Sequence, residues 1–404
     1  MNAPSGRNGT AASAVGALVV GGDYQGLGIV RSLGRKGVPI YVLDDEPSIA
    51  RYSRYTTRAL RAPDLRDEEA TIQTILDAGA RFGLRGWVIF PTRDEIVTAL
   101  SRGRERLDPF FRVPTPAWET VQHAIDKRLT NVVAARVGIP TPRTWYPASV
   151  EALEAIVPDR WPLLVKPAIK QHFIYTTHVK GWIVGNRQQL VARFRDAAAI
   201  LGPREVMVQD LIPGNGQTQY AYCAFFKNGE AVGRMVVRRR RQRPADLGRS
   251  STFVETVDLP ELAEASERFL REIDYYGLVE LEYKLDGDAG TYTLLDVNAR
   301  TWGYHSVGRI AGVDFPLLLY RDQVGLDVSA VEARPGVTWV RLLTDTPTAV
   351  AEIARGDLSW RDYIRSLRSV ATEAVFSRED FRPGCAEVAL LPHLIRTRAP
   401  LRGR

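Results

Sequence analysis

The sequence predicts an α/β protein in two parts: an N-terminal doubly wound domain, then a larger unit of α+β type in two subdomains. Three observations carry this. The chain opens as apolar run, glycine turn, helical run and second apolar run, which is the first βαβ unit of a parallel sheet. Residues 205–237 and 277–297 read instead as strand followed by strand across short turns. At 404 residues, 45% hydrophobic and 25% charged, there is material for two or three cores.

Composition removes several function classes. The net charge is +7, yet only seven of the 54 basic residues are lysines. A general bias towards arginine accounts for the charge, since neither zinc-finger spacing nor an aromatic platform for single strands accompanies it. No nucleic-acid role is expected. No run reaches the eighteen or so apolar residues of a membrane span. Cys223 and Cys385 form neither a CxxC pair nor a disulfide framework, which fits a reducing cytoplasm. Residues 1–14 are small and polar, and read as a disordered leader rather than a signal peptide.

In the first part, residues 15–20 form a buried-type strand, Gly21, Gly22, Gly26 and Gly28 mark the turn, and residues 38–43 form a second strand ending in Asp44 and Asp45. Two readings stand side by side. Glycines admit a pyrophosphate to a helix N-terminus and an acid takes ribose hydroxyls; equally, this is a tight turn in a domain that binds no dinucleotide. Residues 68–82 follow as helix and 87–90 as strand. The next helix opens at that strand's end, placing Thr92, Arg93 and Glu95 at the carboxyl edge of the sheet, where ligands of such folds bind. Asp94 and Glu95 also suit a helix N-terminus.

The second part begins at residues 125–130, a helix start that includes Lys127; Gly138, Pro140 and Pro142 stop that helix. Residues 161–165 are an apolar strand that ends in Lys166 and Pro167. A lysine ending so apolar a strand calls for an anionic partner, and polyphosphate is a natural one. Residues 168–180 carry Lys180 and no glycine; His172 and His178 read as loop residues able to meet acidic groups. Residues 205–210 are a strand running into a turn at Pro213. Residues 220–226 and 231–237 flank Asn228 and Gly229, a type I′ hairpin signal. The arginine-rich run 238–243 is either a solvated face or a clamp on an anion.

After an amphipathic helix over 259–275 comes the stretch that organises the rest. Residues 278–285 and 291–297 form a hairpin that brings Glu282 beside Asp296, with Asn298 and Arg300 continuing the same face. Two carboxylates and an amide suit Mg²⁺ (or Mn²⁺), which prefers few protein oxygens and completes its shell with water and phosphate. From about residue 332 the pattern loosens, with a helix over 360–367 and a basic tail over 393–404.

An acid on one strand and D-x-N-x-R on the next resembles the metal hairpin of ATP-grasp ligases, usually E-x-N-x-R. Asp126 and Lys127 followed by Gly138 to Pro142 as G-I-P-x-P, Val165-Lys166-Pro167, and the hinge around Gln209 occur in the family's order. The resemblance implies a Rossmann-like pre-ATP-grasp domain (15–124), a small ATP-grasp subdomain (125–204), a C-terminal subdomain with the metal hairpin (205–330) and an extension (331–404). It further implies ATP held by Lys127, Lys166, Lys180, Gln209, Asp210, Ile212 and Gln217, metal held by Glu282, Asp296 and Asn298, and catalysis by Arg300 and Lys166. Small carboxylate and amine substrates would be joined through an acyl phosphate, as in D-aspartate ligase-like or carbamoyl-phosphate-synthase-like members, in a monomer or homodimer. Asp296 in place of Glu and the missing glycine flap depart from the pattern. The competing readings are a dinucleotide-dependent oxidoreductase and a non-catalytic ATP-binding scaffold.

Overall fold

The computed structural model describes residues 15–177, 179–214, 216–243, 248 and 250–392, with only the backbone of residues 170–172. The leader over 1–14, the tail over 393–404, His178, Asn215 and the side chain of His172 lie outside the described residues.

Three sheets organise the chain. The first is parallel, with β1 (Ala17–Val20), β2 (Ile40–Asp44), β3 (Arg58–Arg61) and β4 (Val88–Pro91) in the order β3-β2-β1-β4. Its two central strands are apolar without alternation, as expected where both faces are covered. The second sheet is antiparallel: β5 (Thr144–Trp145), β6 (Leu163–Pro167), β7 (Trp182–Val184) and β8 (Val206–Asp210), ordered β5-β8-β6-β7.

The third sheet is the largest. It contains β9 (Gln219–Lys227), β10 (Glu230–Arg243), β11 (Ser250–Val257), β12 (Gly277–Asp286), β13 (Thr291–Asn298), β14 (Val331–Glu332), β15 (Thr338–Val340) and β16 (Thr372–Glu373). The order is β13-β12-β9-β10-β11-β15-β16, with β14 beside β10. Asn228 at φ 54° and Gly229 at φ 78° turn β9 into β10, both positive as a type I′ turn requires. The loosely patterned end of the chain therefore adds edge strands to this sheet; β15 and β16 are too short to show a period.

Strand alternation decides what each face of this sheet meets. Ala221, Cys223, Phe225, Met235, Val237 and Leu278 pack in one core with Val19, Val30, Val42 and Phe90 of the first domain and with Trp302 and Phe315. Tyr222, Ala224, Phe226, Val279 and Leu281 face the opposite way, onto the helices Trp118–Ile125, Lys127–Arg136 and Pro260–Glu272. The third sheet is thus pinned between the first domain and a helical layer. The second sheet keeps a separate core around Phe173, Phe194 and Val208.

The arginine-rich run is part exposed and part buried. It lies inside β10, where Arg240 is the extra residue of a bulge against β11 and stays exposed, paired to Glu255 at 3.0 Å. Arg239 and Arg241 are buried, on Glu282 and on Asp345, both at 2.8 Å.

Candidate active site

Along one face of β12, alternation sets Leu278, Glu280, Glu282 and Lys284 in a row that runs from the core outward to an open cleft. β13 pairs with it in register, Glu282 opposite Asp296 and Glu280 opposite Asn298. A bulge follows, so that Leu295 is unpaired and lines the cleft together with its neighbour Asp296. On the other side of β12, Lys284 is opposite Gln219 of β9.

The cleft is closed from above by the second sheet. Lys166 near the end of β6, Lys180 ahead of β7 and the β8 exit at Gln209, Asp210, Leu211 and Ile212 all line it, as does Lys127. Eight predicted residues therefore meet in one cavity: Lys127, Lys166, Lys180, Gln209, Asp210, Ile212, Glu282 and Asp296. Gln209 is 4% exposed and donates from Nε2 to Thr144 Oγ1 at 2.9 Å, which steadies the hinge. Asp210 Oδ1 is buried without a hydrogen-bond partner, and burial raises that carboxyl above its usual range.

Three predicted residues do not line the cleft. Gln217 is exposed, and its carbonyl accepts from Arg238 Nε at 3.0 Å; Gln219, two residues on, faces the cavity instead. Asn298 is 2% exposed, deeper along the strand, and donates from Nδ2 to Glu280 at 3.0 Å and Glu282 at 3.1 Å. Arg300 turns to the first domain, where it pairs with Asp94 at 2.8 Å. Burial lowers the Arg300 pKa, but Asp94 and Glu280 raise it further, so it stays charged.

The two carboxylates opposite one another are each held by a cation. Lys127 Nζ lies 2.5 Å from Asp296 Oδ1, and Arg239 Nη2 lies 2.8 Å from Glu282 Oε2. All four side chains are 5–14% exposed. Glu280, one step inward, accepts from the Tyr304 hydroxyl; burial first, and then the Glu282 charge, push its carboxyl up to about 7. Among the described residues no group of three or more His, Cys, Asp and Glu side chains forms a metal site. The donor set nevertheless fits Mg²⁺ bridged to phosphate, which takes one or two carboxylates and leaves its other positions to oxygen from water and ligand.

Lys284, Gln219, Leu295 and Arg239 are the additions to the predicted set. Lys284 was within reach of the sequence, being two residues beyond Glu282 on the same face and one of only seven lysines. It donates to Gly214 O at 2.7 Å, and burial lowers its pKa.

The glycine turn of the first domain is filled by the protein itself. A Cβ on Gly21 would stand 2.0 Å from Thr92 Oγ1, and one on Gly28 would stand 2.4 Å from His305 Nε2. Asp44, the acid positioned for a ribose, accepts from Gly22 N at 2.6 Å and pairs with Arg93 at 2.7 Å, while Asp45 takes Arg93 at 2.8 Å. These contacts favour the tight-turn reading over a dinucleotide site. Glu95 accepts a hydrogen bond from Tyr175, on the helix Lys170–Thr177 that stands in place of a glycine-rich flap. That helix is anchored by buried Phe173, edge-on to Trp182 at 4.9 Å.

Comparison with known proteins agrees with this layout. A family described as "ATP-grasp in the biosynthetic pathway with Ter operon" matches residues 204–346. The D-aspartate ligase of Enterococcus faecium is 22% identical over 302 residues, covering 70% of each chain. The L-amino acid ligase of Bacillus licheniformis superposes with a TM-score of 0.60 at 16% identity, over 80% of this chain and 78% of that one. N5-carboxyaminoimidazole synthetase of Staphylococcus aureus, complexed with ADP, gives 0.61 at 14% identity over 80% of each. No described helix is long and apolar enough to cross a membrane. Its three sheets and its structural neighbours give this chain the ATP-grasp fold, and residues 204–346 are similar to an ATP-grasp family.

Proposed function

We propose that the chain is an ATP-dependent ligase that joins a small carboxylate to an amine through an acyl phosphate, releasing ADP. One observation carries the reading: four lysines, two facing carboxylates and a strand-end hinge converge on a single cleft. The hinge at Gln209, Asp210 and Ile212 would hold adenine between apolar side chains, with Leu164, Leu211 and Leu295 completing the slot. Lys127, Lys166 and Lys180 would neutralise the phosphates. Glu282 and Asp296, with Asn298 behind them, would hold Mg²⁺ or Mn²⁺, which when bound supplies Lewis-acid stabilisation of the transferring phosphoryl group.

Arg300 would stabilise charge that develops as the substrate carboxylate attacks the γ-phosphate. Its ion pair with Asp94, at 2.8 Å, ties it to the carboxyl edge of the first sheet, beside Thr92, Arg93 and Glu95. That edge is where the carboxylate and amine would be oriented, with the helix Lys170–Thr177 excluding water from the acyl phosphate. The similarity to D-aspartate and L-amino acid ligases supports amino acids as substrates. Two free cysteines, Cys223 and Cys385, support a cytoplasmic setting.

The test is an ADP-release screen over pairs of amino acids, with hydroxylamine present to trap an activated acyl group. The expected result is substrate-dependent ADP release with hydroxamate formed, lost in Glu282→Ala. Tight NAD(P)H binding with no affinity for ATP would overturn the reading.

A further inference from the structure

Among the described residues, Arg239 is a buried guanidinium paired with one of the two facing carboxylates, and no sequence motif singles it out. It comes from β10, two strands away from Glu282 on β12 with β9 between them, where Ala221 lies directly beside Glu282. It is 4% exposed, donates from Nη1 to Gln219 Oε1 at 2.6 Å and pairs through Nη2 with Glu282 at 2.8 Å. Its Nε is buried with no hydrogen-bond partner. A buried N–H left unmade costs on the order of 1–3 kcal/mol, so the Arg239 guanidinium has a donor to spare.

Lys127 repeats the arrangement on Asp296 at 2.5 Å. Within these two pairs the charges sum to zero, and Glu280 and Arg300 lie just inward of them. A divalent ion arriving alone would add two positive charges beside Lys127 and Arg239, which has no compensation in a low-dielectric site. Nucleotide phosphates change the balance, because they draw the cations to themselves and release the carboxylates.

We propose that Arg239 and Lys127 are positioning residues that occupy the two metal-binding carboxylates in the nucleotide-free protein, and that they pass to phosphate oxygen when nucleotide binds. Metal binding is therefore coupled to nucleotide: the site takes a divalent cation only together with phosphate. This rests on the ATP-binding reading above and goes beyond it by assigning Arg239 a place and metal and nucleotide an order.

The experiment is electron paramagnetic resonance of Mn²⁺ titrated into the full-length chain, without nucleotide and with a non-hydrolysable ATP analogue. Wild type is expected to leave Mn²⁺ free in the absence of the analogue. Arg239→Met and Lys127→Met should each bind Mn²⁺ alone at least about tenfold more tightly than wild type, whereas Arg239→Lys, which keeps the charge, should stay like wild type. If Arg239→Met does not fold, Lys127→Met and Arg239→Lys decide the matter. Wild type binding Mn²⁺ alone as tightly as Lys127→Met, with that binding lost in Glu282→Ala, would overturn the coupling and leave the ligase reading intact. Failure of the analogue to bind wild type at all would instead remove the ATP site on which both rest.

Discussion

Two places in this molecule carry acids and arginines at the end of parallel or paired strands, and they behave differently. At the first, Asp44, Asp45 and Arg93 close on one another and on the Gly22 amide, and the space that the glycines leave is taken by Thr92, Ser48 and His305. At the second, Glu282, Asp296, Lys127 and Arg239 also pair, but three of them line an open cleft whose other wall carries Lys166 and Lys180. Charge pairing alone does not mark a site. What separates the two is the open cleft, lined at the second place by Lys127, Lys166, Lys180, Glu282 and Asp296, where the first place is filled by its own side chains.

The largest expected effect sharpens that contrast. Glu282→Ala or Asp296→Ala should lower the rate of ADP release by about 10³-fold or more in the protein that remains folded, because transition-state charge is no longer met. Gly22→Ala, at the other place, should act mainly on stability, since its Cβ would stand 2.4 Å from Ser48 Oγ. Equal loss of turnover in both would erase the distinction.

Asp44→Ala should destabilise by about 2 kcal/mol in urea unfolding, by freeing the Gly22 amide and half of the Arg93 pairing. It should leave the dissociation constant for ATP unchanged within about twofold. A rise in that constant as large as one from Lys166→Met would show that the first turn touches nucleotide.

A smaller effect comes from pH. His305 is 2% exposed, its Nε2 lies 3.0 Å from Gln25 O, and burial pushes it down from 6.5 to about 4. The folded state therefore prefers neutral imidazole: its contribution is complete above pH 6.5 and declines as pH falls towards 4. Unfolding free energy should drop on the order of 2 kcal/mol from pH 6.5 to 5 on this account, and His305→Gln should flatten that slope. Unaltered slope in the variant would remove His305 as the cause.

The hairpin was legible because period 2 and a short turn fix which residues of each strand share a face, but the observed register, Glu282 opposite Asp296, also needs the bulge at Leu295. Helix Glu68–Phe82 was legible from its period, and the structure adds an Asp67 N-cap and a left-handed Gly83 at its end. Arg239 was not, because a run of like residues has no pattern and only the bulge at Arg240 determines which members turn inward. Leu295 was hidden for the same reason, since strict alternation sends it away from Asp296. The final strands were hidden by length: β15 spans three residues and β16 two, and their pairing is set by long-range contacts such as Arg241 with Asp345 and Arg31 with Asp380. The glycine turn was ambiguous because a glycine fitted to His305 and one fitted to a pyrophosphate look alike in sequence.

The most direct measurement is a crystal structure of the chain with Mn²⁺ and a non-hydrolysable ATP analogue, read by the manganese anomalous signal. The account predicts a peak between Glu282 and Asp296, with Lys127 and Arg239 turned onto phosphate oxygen. A peak elsewhere, or a nucleotide seated at the Gly21 turn beside Asp44, would contradict it.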